Sequence, residues 1–251
     1  MIRIVLCGAA GRMGKKITEC VSEADDMQIV AGIDQNTPMQ DPGYPVYNAF
    51  EQYKGEADIV IDFSSPAMLE GVLDFCTKRK IPTVLGATGY SDEDLKKIQE
   101  ASGLIPVFRS SNMSVGVQAL RVLSRCLADI LPDFEIEIVE RHHDQKKDAP
   151  SGTALTLLND VKKEDTVVKY GREGRDALRD KREIGVHAIR GGTLAGEHEV
   201  GFYGSQETLL LTHRAQDRSV FAYGALKAAR FILNCREGEY DMNDLLPFDR
   251  K

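Results

Sequence analysis

The first fourteen residues restrict the fold more than any other stretch of the chain. Met1-Ile2-Arg3-Ile4-Val5-Leu6-Cys7 is a short, mostly apolar run with β-branched members, which predicts a buried strand. It ends at Gly8, and Gly11 and Gly14 follow at three-residue spacing. Lys15 to Val21, with Ile17 and Val21 four apart, predicts a helix. Strand, glycine turn and helix in succession are the context a dinucleotide-binding turn requires. The spacing G-x-x-G-x-x-G is a variant of the commoner G-x-G-x-x-G. Gly8 would permit the tight turn, Gly11 the approach of a pyrophosphate, and Gly14 close packing of helix on strand. Ala9, Ala10 and Met13 complete the turn, and Arg12 adds charge at the phosphates. The next apolar run, Met27 to Ile33, ends in Asp34, 20 residues past Gly14. There a carboxylate can accept hydrogen bonds from an adenosine ribose. An ordinary strand–turn–helix is the competing reading, and the paired signals favour a nicotinamide or similar dinucleotide.

The rest of the first half repeats the alternation. After a Pro/Gly-punctuated loop from Asn36 to Pro45, a helix is expected around residues 49–53. Strands follow at Ala57–Phe63, Pro82–Gly86 and Ile105–Ser110, with helices at Ala67–Lys78 and from Ser91 to about Ser102. Ser64-Ser65-Pro66 reads as the cap of the first of these helices, with Asp62 assisting beside Ser64. Strands alternating with helices imply right-handed crossovers and a parallel sheet. Ligands bind beyond the carboxyl ends of such strands. The exits Gly8–Met13, Gly86-Ala87-Thr88 and Ser110-Ser111-Asn112-Met113 therefore belong on one rim as cofactor-binding candidates.

From Val115 the pattern changes. A long apolar-faced helix to Leu131 precedes Phe134–Glu140, which alternates with period two. Further strands at Gly185–Arg190, Gly196–Tyr203 and Glu207–Arg214 lack intervening helices, so an open, mixed or largely antiparallel sheet is expected. The charged stretch Lys162–Lys181 reads as a mobile loop, and Tyr223–Cys235 as a last helix. The expected fold is α/β: a Rossmann-type dinucleotide domain from residues 1–113 and 223–251, and an inserted α+β domain from 114–222. Hinging where they join would let closure exclude water. Apolar residues in Val200–Tyr203 and Leu209–Leu211 on an uncovered sheet favour self-association, most simply a homotetramer of dihedral symmetry.

Within the inserted domain lies the densest chemistry, Glu140-Arg141-His142-His143-Asp144-Gln145-Lys146-Lys147-Asp148-Ala149-Pro150-Ser151-Gly152-Thr153-Ala154. Histidines titrate near neutral pH and lysines carry fixed charge. The Pro-Ser-Gly-Thr turn feeds a helix N-terminus, whose free amides attract anions. The combination suits a dianionic ligand that must receive a proton; a solvated basic loop is the competing reading. Net charge is −7, which argues against nucleic acid as a partner. Five scattered cysteines without C-x-x-C spacing suggest reduced thiols and a cytoplasmic setting. An N-terminus that enters a strand directly is no signal peptide, and no apolar run approaches the roughly 20 residues of a membrane span. No metal site is expected, because adjacent histidines rarely converge on one ion.

The glycine turn together with His-His-x-x-Lys and Pro-Ser-Gly-Thr resembles the dihydrodipicolinate (4-hydroxy-tetrahydrodipicolinate) reductase family. The likeness extends through Gly86–Gly89, Asn112–Gly116, His187–Gly192, Gly196–His198 and Tyr240–Met242. It implies reduction of a cyclic imine bearing two carboxylates, on the route to diaminopimelate and lysine, with hydride from a nicotinamide. By the same resemblance His142 and Lys146 donate the proton, while His143, Gly152 and Thr153 bind substrate carboxylate. His143 is also open to a purely orienting role, and Lys147 reads as a solvated charge. His187, Arg190 and His198 could line the site or serve strand packing. The family often has Arg after the acidic residue, where it accepts the 2′-phosphate of NADPH. Here Gln35 and Asn36 follow Asp34, so NADH is the expected cofactor, with NADPH use possible through Arg12 or Lys15.

Overall fold

The computed structural model describes residues 1–36 and 41–247. The chain divides into two compact units, residues 1–115 with 218–251, and residues 116–217. In chain order the elements are β1 (Ile2–Cys7), α1 (Arg12–Ser22), β2 (Met27–Ile33), β3 (Val46–Tyr47), β4 (Ile59–Asp62), α2 (Leu69–Arg79), β5 (Thr83–Leu85), α3 (Asp92–Ser102) and β6 (Pro106–Arg109). There follow α4 (Val115–Ile130), β7 (Glu135–His142), α5 (Gly152–Val161), β8 (Val167–Tyr170), β9 (Glu183–Arg190), β10 (Gly196–Tyr203) and β11 (Thr208–Ala215). The chain closes with α6 (Ser219–Ile232), β12 (Gly238–Tyr240) and α7 (Met242–Leu245).

In the first unit seven strands run in the order β12-β6-β5-β4-β1-β2-β3, and every ladder is parallel. Consecutive residues of β1 serve opposite faces. Ile4 and Leu6 join a core with α1 and α6 residues, including Ile17, Ala225 and Ala229. Val5 and Cys7 join the other core with Val72 and Cys76 of α2 and Ile98 of α3. A strand buried on both faces needs no polar alternation, which is why its sequence is a continuous apolar run. From β1 the chain moves outward to β2 and β3, then crosses back to β4. That reversal places a crevice at the carboxyl ends of β1 and β4.

In the second unit the order is β11-β10-β7-β9-β8. The β10 ladders are antiparallel, whereas β7–β9 and β8–β9 are parallel. The sheet is thus evenly mixed rather than largely antiparallel. One face packs under α4 and α5, around Leu120, Leu157, Ile138, Val186, Val200 and Phe202.

Several expectations change. The stretch 162–181 is no featureless loop, since it contains β8, which pairs with β9 just beyond it. Arg172 and Arg179 also tie its remainder to Glu137 at 2.8 and 2.7 Å. Charge density hid the short run Val167-Val168. Residues 49–53 give only a 3-10 turn, Phe50–Gln52. Pro66 opens another 3-10 turn, and Ser65 before it makes no side-chain capping bond. Asp62 is wholly buried and binds the amide of Ser64 at 3.0 Å, pinning the turn after β4 instead of capping a helix. Val200 and Phe202 are fully buried, so they do not contribute to an uncovered apolar surface. The last long helix, α6, starts at Ser219 rather than Tyr223, and β12 and α7 follow it. Residues 37–40 of the expected Asn36–Pro45 loop, and 248–251 of the last segment, lie outside the described residues.

Gly14 shows how tightly α1 is drawn onto β1. A Cβ built there would lie 2.2 Å from the Gly8 carbonyl oxygen and 2.5 Å from that of Ala9. Gly14→Ala must therefore shift helix or turn, at about 1–3 kcal/mol of overpacking. The expected outcome in chemical denaturation is a lower midpoint of that size, together with weakened dinucleotide binding by titration.

Candidate functional site

In the first unit the exits of β1, β2 and β4 surround a cleft of about 240 Å³, lined by Gly8, Gly11, Asp34, Gln35, Ser64 and Met68 among others. Gly8 has φ +83°, in the left-handed region where a side chain is strained, and a Cβ would also meet the Phe63 carbonyl oxygen at 2.8 Å. One carboxylate oxygen of Asp34 accepts the Ala10 amide at 2.9 Å and the other the Asn36 amide at 2.8 Å. The carboxylate is thereby fixed between the glycine turn and the β2 exit. Ala9 is buried, and Arg12 is exposed at the start of α1 with Met13 half-buried behind it. Arg218, which no sequence signal singled out, is half-buried, and burial and the Arg12 charge both lower its pKa. Two mutually repelling guanidiniums by a helix N-terminus suit a pyrophosphate.

The neighbouring exits are built equally closely. A Cβ on Gly86 would lie 2.4 Å from the Phe63 ring, so only glycine lets that ring sit over the β5 exit. Ala87 is buried and Thr88 exposed. After β6 the Ser110 hydroxyl donates to the Asn112 carbonyl at 2.8 Å, and Asn112 Oδ1 accepts the Ser114 amide at 2.9 Å. Ser111 is exposed, and Met113 is buried in the core. Because the ladders are all parallel, these exits open on the same edge as the cleft. The residues fit a dinucleotide: glycines where side chains have no room, a carboxylate at the β2 exit and basic groups at α1.

In the second unit the helix-covered face of β7 changes character along its length. Ile136 and Ile138 pack in the apolar core, but the next two residues on that face are Glu140 and His142. Glu140 is wholly buried, and His142 is 7% exposed. Arg190, opposite His142 in the β9 register, reaches Glu140 with both terminal nitrogens, at 2.8 and 2.7 Å. The Ser151 amide adds a bond to Glu140 at 2.9 Å, and His142 Nδ1 sits 2.6 Å from its other oxygen. Burial pushes the Glu140 pKa up, but Arg190, His142 and the Ser151 amide together hold it below the ordinary carboxylate value. Burial lowers the His142 pKa; the Glu140 carboxylate opposes this, and the Lys146 and Arg190 charges add to it.

His198, opposite Glu140 in the β10 register, packs edge-on against His142 with ring centroids 5.1 Å apart. Its Nε2 lies 3.0 Å from the Ser151 hydroxyl. Burial, then the His142 charge, pushes its pKa down to about 4, so it stays neutral near pH 7. Ser151 also caps α5, accepting the Ala154 amide. Gly152 beside it is exposed, with nothing within 4 Å of where a Cβ would stand, and Thr153 is half-buried.

The loop after β7 is held by backbone bonds to the β9–β10 connection. Gly191 donates to the His142 carbonyl at 3.0 Å, and His143 to Leu194 at 3.0 Å. His143 is half-buried, and Lys146 pairs with Asp148 at 2.9 Å. Lys147 is exposed. The structure thus gathers His142, Lys146, His143 and the α5 N-terminus in one unit. His187 bonds Glu137 at 2.8 Å, on the face of β7 opposite that of Glu140 and His142. Glu140 and Arg190 are the members sequence reasoning misses or leaves undecided. A glutamate two residues from a histidine on an alternating strand, sharing its buried face, is the available signal.

Fold and sites together define a nicotinamide-dinucleotide-dependent oxidoreductase with a Rossmann-type unit and an inserted mixed-sheet unit. Residues 2–113 match the family model described as dihydrodipicolinate reductase, N-terminus, and residues 116–246 match that for the C-terminus. The chain belongs to the dihydrodipicolinate reductase family. It is 47% identical over 249 residues to the 4-hydroxy-tetrahydrodipicolinate reductase of Caldanaerobacter subterraneus subsp. tengcongensis, covering 98% of each chain. The protein of that name from Clostridium tetani is 44% identical over 252 residues, with 98% of this chain and 97% of the relative covered. A solved structure described as dipicolinate-bound dihydrodipicolinate reductase from Paenisporosarcina sp. TG-14 shares the fold. Its TM-score is 0.82 at 23% identity, over 98% of this chain and 100% of that one.

The Glu140–Arg190 pair makes a stability prediction. Arg190→Ala leaves a buried carboxylate without its main partner, at a cost of about 3 kcal/mol at neutral pH. A depressed carboxylate pKa gives stability that is present above the unfolded value and lost as pH falls through the folded one. The gap between wild type and Arg190→Ala should therefore narrow below about pH 4, as measured by denaturation across pH.

Proposed function

We propose that this chain reduces 4-hydroxy-tetrahydrodipicolinate to tetrahydrodipicolinate with a reduced nicotinamide cofactor, on the route to diaminopimelate and lysine. The observation that carries the reading is buried His142, backed by Glu140 and Arg190, in one unit with Lys146 and the α5 N-terminus. The names of the curated relatives support the same substrate. In this reading the unit of residues 1–115 and 218–251 holds the cofactor, and the unit of residues 116–217 holds the substrate.

When bound, the cofactor supplies a hydride to one ring carbon of the substrate. Gly8, Ala9, Ala10, Gly11, Arg12 and Met13 would receive its pyrophosphate and Asp34 its ribose, and the exits Gly86–Thr88 and Ser110–Met113 would hold the rest of it. His143, Gly152 and Thr153 bind substrate carboxylate, the last two through the first turn of α5. A dianion entering this cationic pocket favours the protonated form of His142, whose pKa is otherwise depressed. His142 and Lys146 then stabilise charge developing on the ring and deliver the proton to the neighbouring carbon.

Two finer points belong to the same reading. Asp34 with Gln35 and Asn36 offers a 2′-phosphate a carboxylate and no adjacent guanidinium, so NADH is the preferred cofactor and NADPH a weaker one. The helix-free face of the second sheet exposes Leu210 and Ile189 at about half their area, which supports a homo-oligomer, a tetramer in the simplest case. Light scattering at micromolar concentration should give a mass above that of one chain. No described helix is long and apolar enough to cross a membrane; we place the enzyme in the cytoplasm.

The direct test generates the cyclic imine from its precursors and follows NADH absorbance. Wild type should turn over, with kcat/KM for NADH above that for NADPH. His142→Ala with Lys146→Ala should lose at least about 10²-fold in kcat, the contribution of a positioned acid. Intact turnover in the double variant would remove the proposed roles.

A further inference from the structure

The proposed reaction needs a proton at a defined atom, and a histidine with one nitrogen engaged offers only the other. Four groups face Glu140 from four elements: Arg190 of β9, the Ser151 amide before α5, His142 on β7 itself, and His198 across from it on β10. Arg190 also donates to the Asp148 carbonyl at 2.6 Å, which ties it to the loop carrying Lys146. The contacts to Arg190 and to the Ser151 amide are from donors that cannot accept, so Glu140 binds them as a carboxylate. A carboxylate can only accept from Nδ1, which leaves Nε2 as the sole nitrogen of His142 available for exchange. Nε2 lies beside Gly196, where a Cβ would come within 2.9 Å of it.

We propose that Glu140 is the positioning residue of this site, locking His142 with Nδ1 as donor to the protein and Nε2 as the proton-exchanging atom beside Gly196. This assignment rests on the functional reading above for its kinetic consequences, but not for the tautomer itself. Neutral His142 then carries a lone pair on Nε2, and donation requires the imidazolium. Glu140 is the one negative charge in contact with that ring among the described residues, while Lys146 and Arg190 oppose protonation. Its charge keeps His142 chargeable in a buried, cationic setting. An amide in its place would lose that charge and could donate to Nδ1, turning the ring to its other tautomer.

Nitrogen-15 NMR of the cofactor-free protein, with His142 assigned through His142→Gln, reads the tautomer directly. The expected wild-type state is Nδ1–H with Nε2 unprotonated, and Glu140→Gln should shift it toward Nε2–H. In the coupled assay Glu140→Gln should lower kcat on the order of 10²-fold with KM changed less than about threefold. The alkaline limb of its kcat/KM profile should move down by about one pH unit or more. Glu140→Asp should recover part of kcat and the limb. A purely structural role would move neither the tautomer nor the limb. Wild-type His142 found as Nε2–H, or a Glu140→Gln enzyme with an unmoved limb and kcat, would falsify the proposal. Should Glu140→Gln fail to fold, the wild-type tautomer and the limb in Arg190→Lys decide the matter. Nδ1–H His142 in a protein that does not reduce the imine would uphold the positioning role and defeat the functional reading.

Discussion

A carboxylate shut away from water must be answered by charge and hydrogen bonds, and the second unit is arranged around that demand at Glu140. Desolvating an ion costs several kcal/mol, which only close and complete pairing offsets. Here the answer comes from the guanidinium of β9, the amide ahead of α5 and the imidazole two residues along β7. Each partner arrives from a different element, so the carboxylate sets the relation of strand, neighbouring strand and helix entry at once. The register His142↔Arg190 is part of the same arrangement, since a slip by one residue would send the guanidinium to the opposite face.

The first unit solves a different problem, how to bring backbone close to a large polyanion. It does so by leaving side chains out. Gly14 lets α1 press on the turn, Gly8 takes a conformation other residues resist, and Gly86 leaves room for the Phe63 ring. The polar contacts then fall to few groups, chiefly Asp34 at the β2 exit and basic side chains near the α1 N-terminus.

Much of this was legible in the residues because the local signals were strong and unopposed. The apolar run before Gly8, the helix start at Ser91, and the period-two alternation of β7 each describe an element that the structure contains. At that start Ser91 and Asp94 bond each other's backbone amides, at 2.9 and 3.2 Å, and so cap α3. What was hidden depended on pairing across distance. Strand β8 owes its place to β9, and the sign of that pairing is not written in Val167–Tyr170. Val200 and Phe202 read as candidates for exposure because nothing in their own segment tells of the α4 and α5 cover. Glu140 and Arg190 are fifty residues apart, and only the parallel β7–β9 ladder makes them neighbours. The chemical side chains of the His-His-x-x-Lys segment were legible, and their supports were not.

The carboxylate at the β2 exit has a further bearing on any effort to redesign which dinucleotides the first unit accepts. Asp34 is already engaged with two amides of its own backbone surroundings, those of Ala10 and Asn36. Exchanging it for a small neutral residue would remove a negative charge from the cleft but untie the turn after β1 from the β2 exit. A successful redesign would have to rebuild that tether while bringing in a guanidinium from outside the turn.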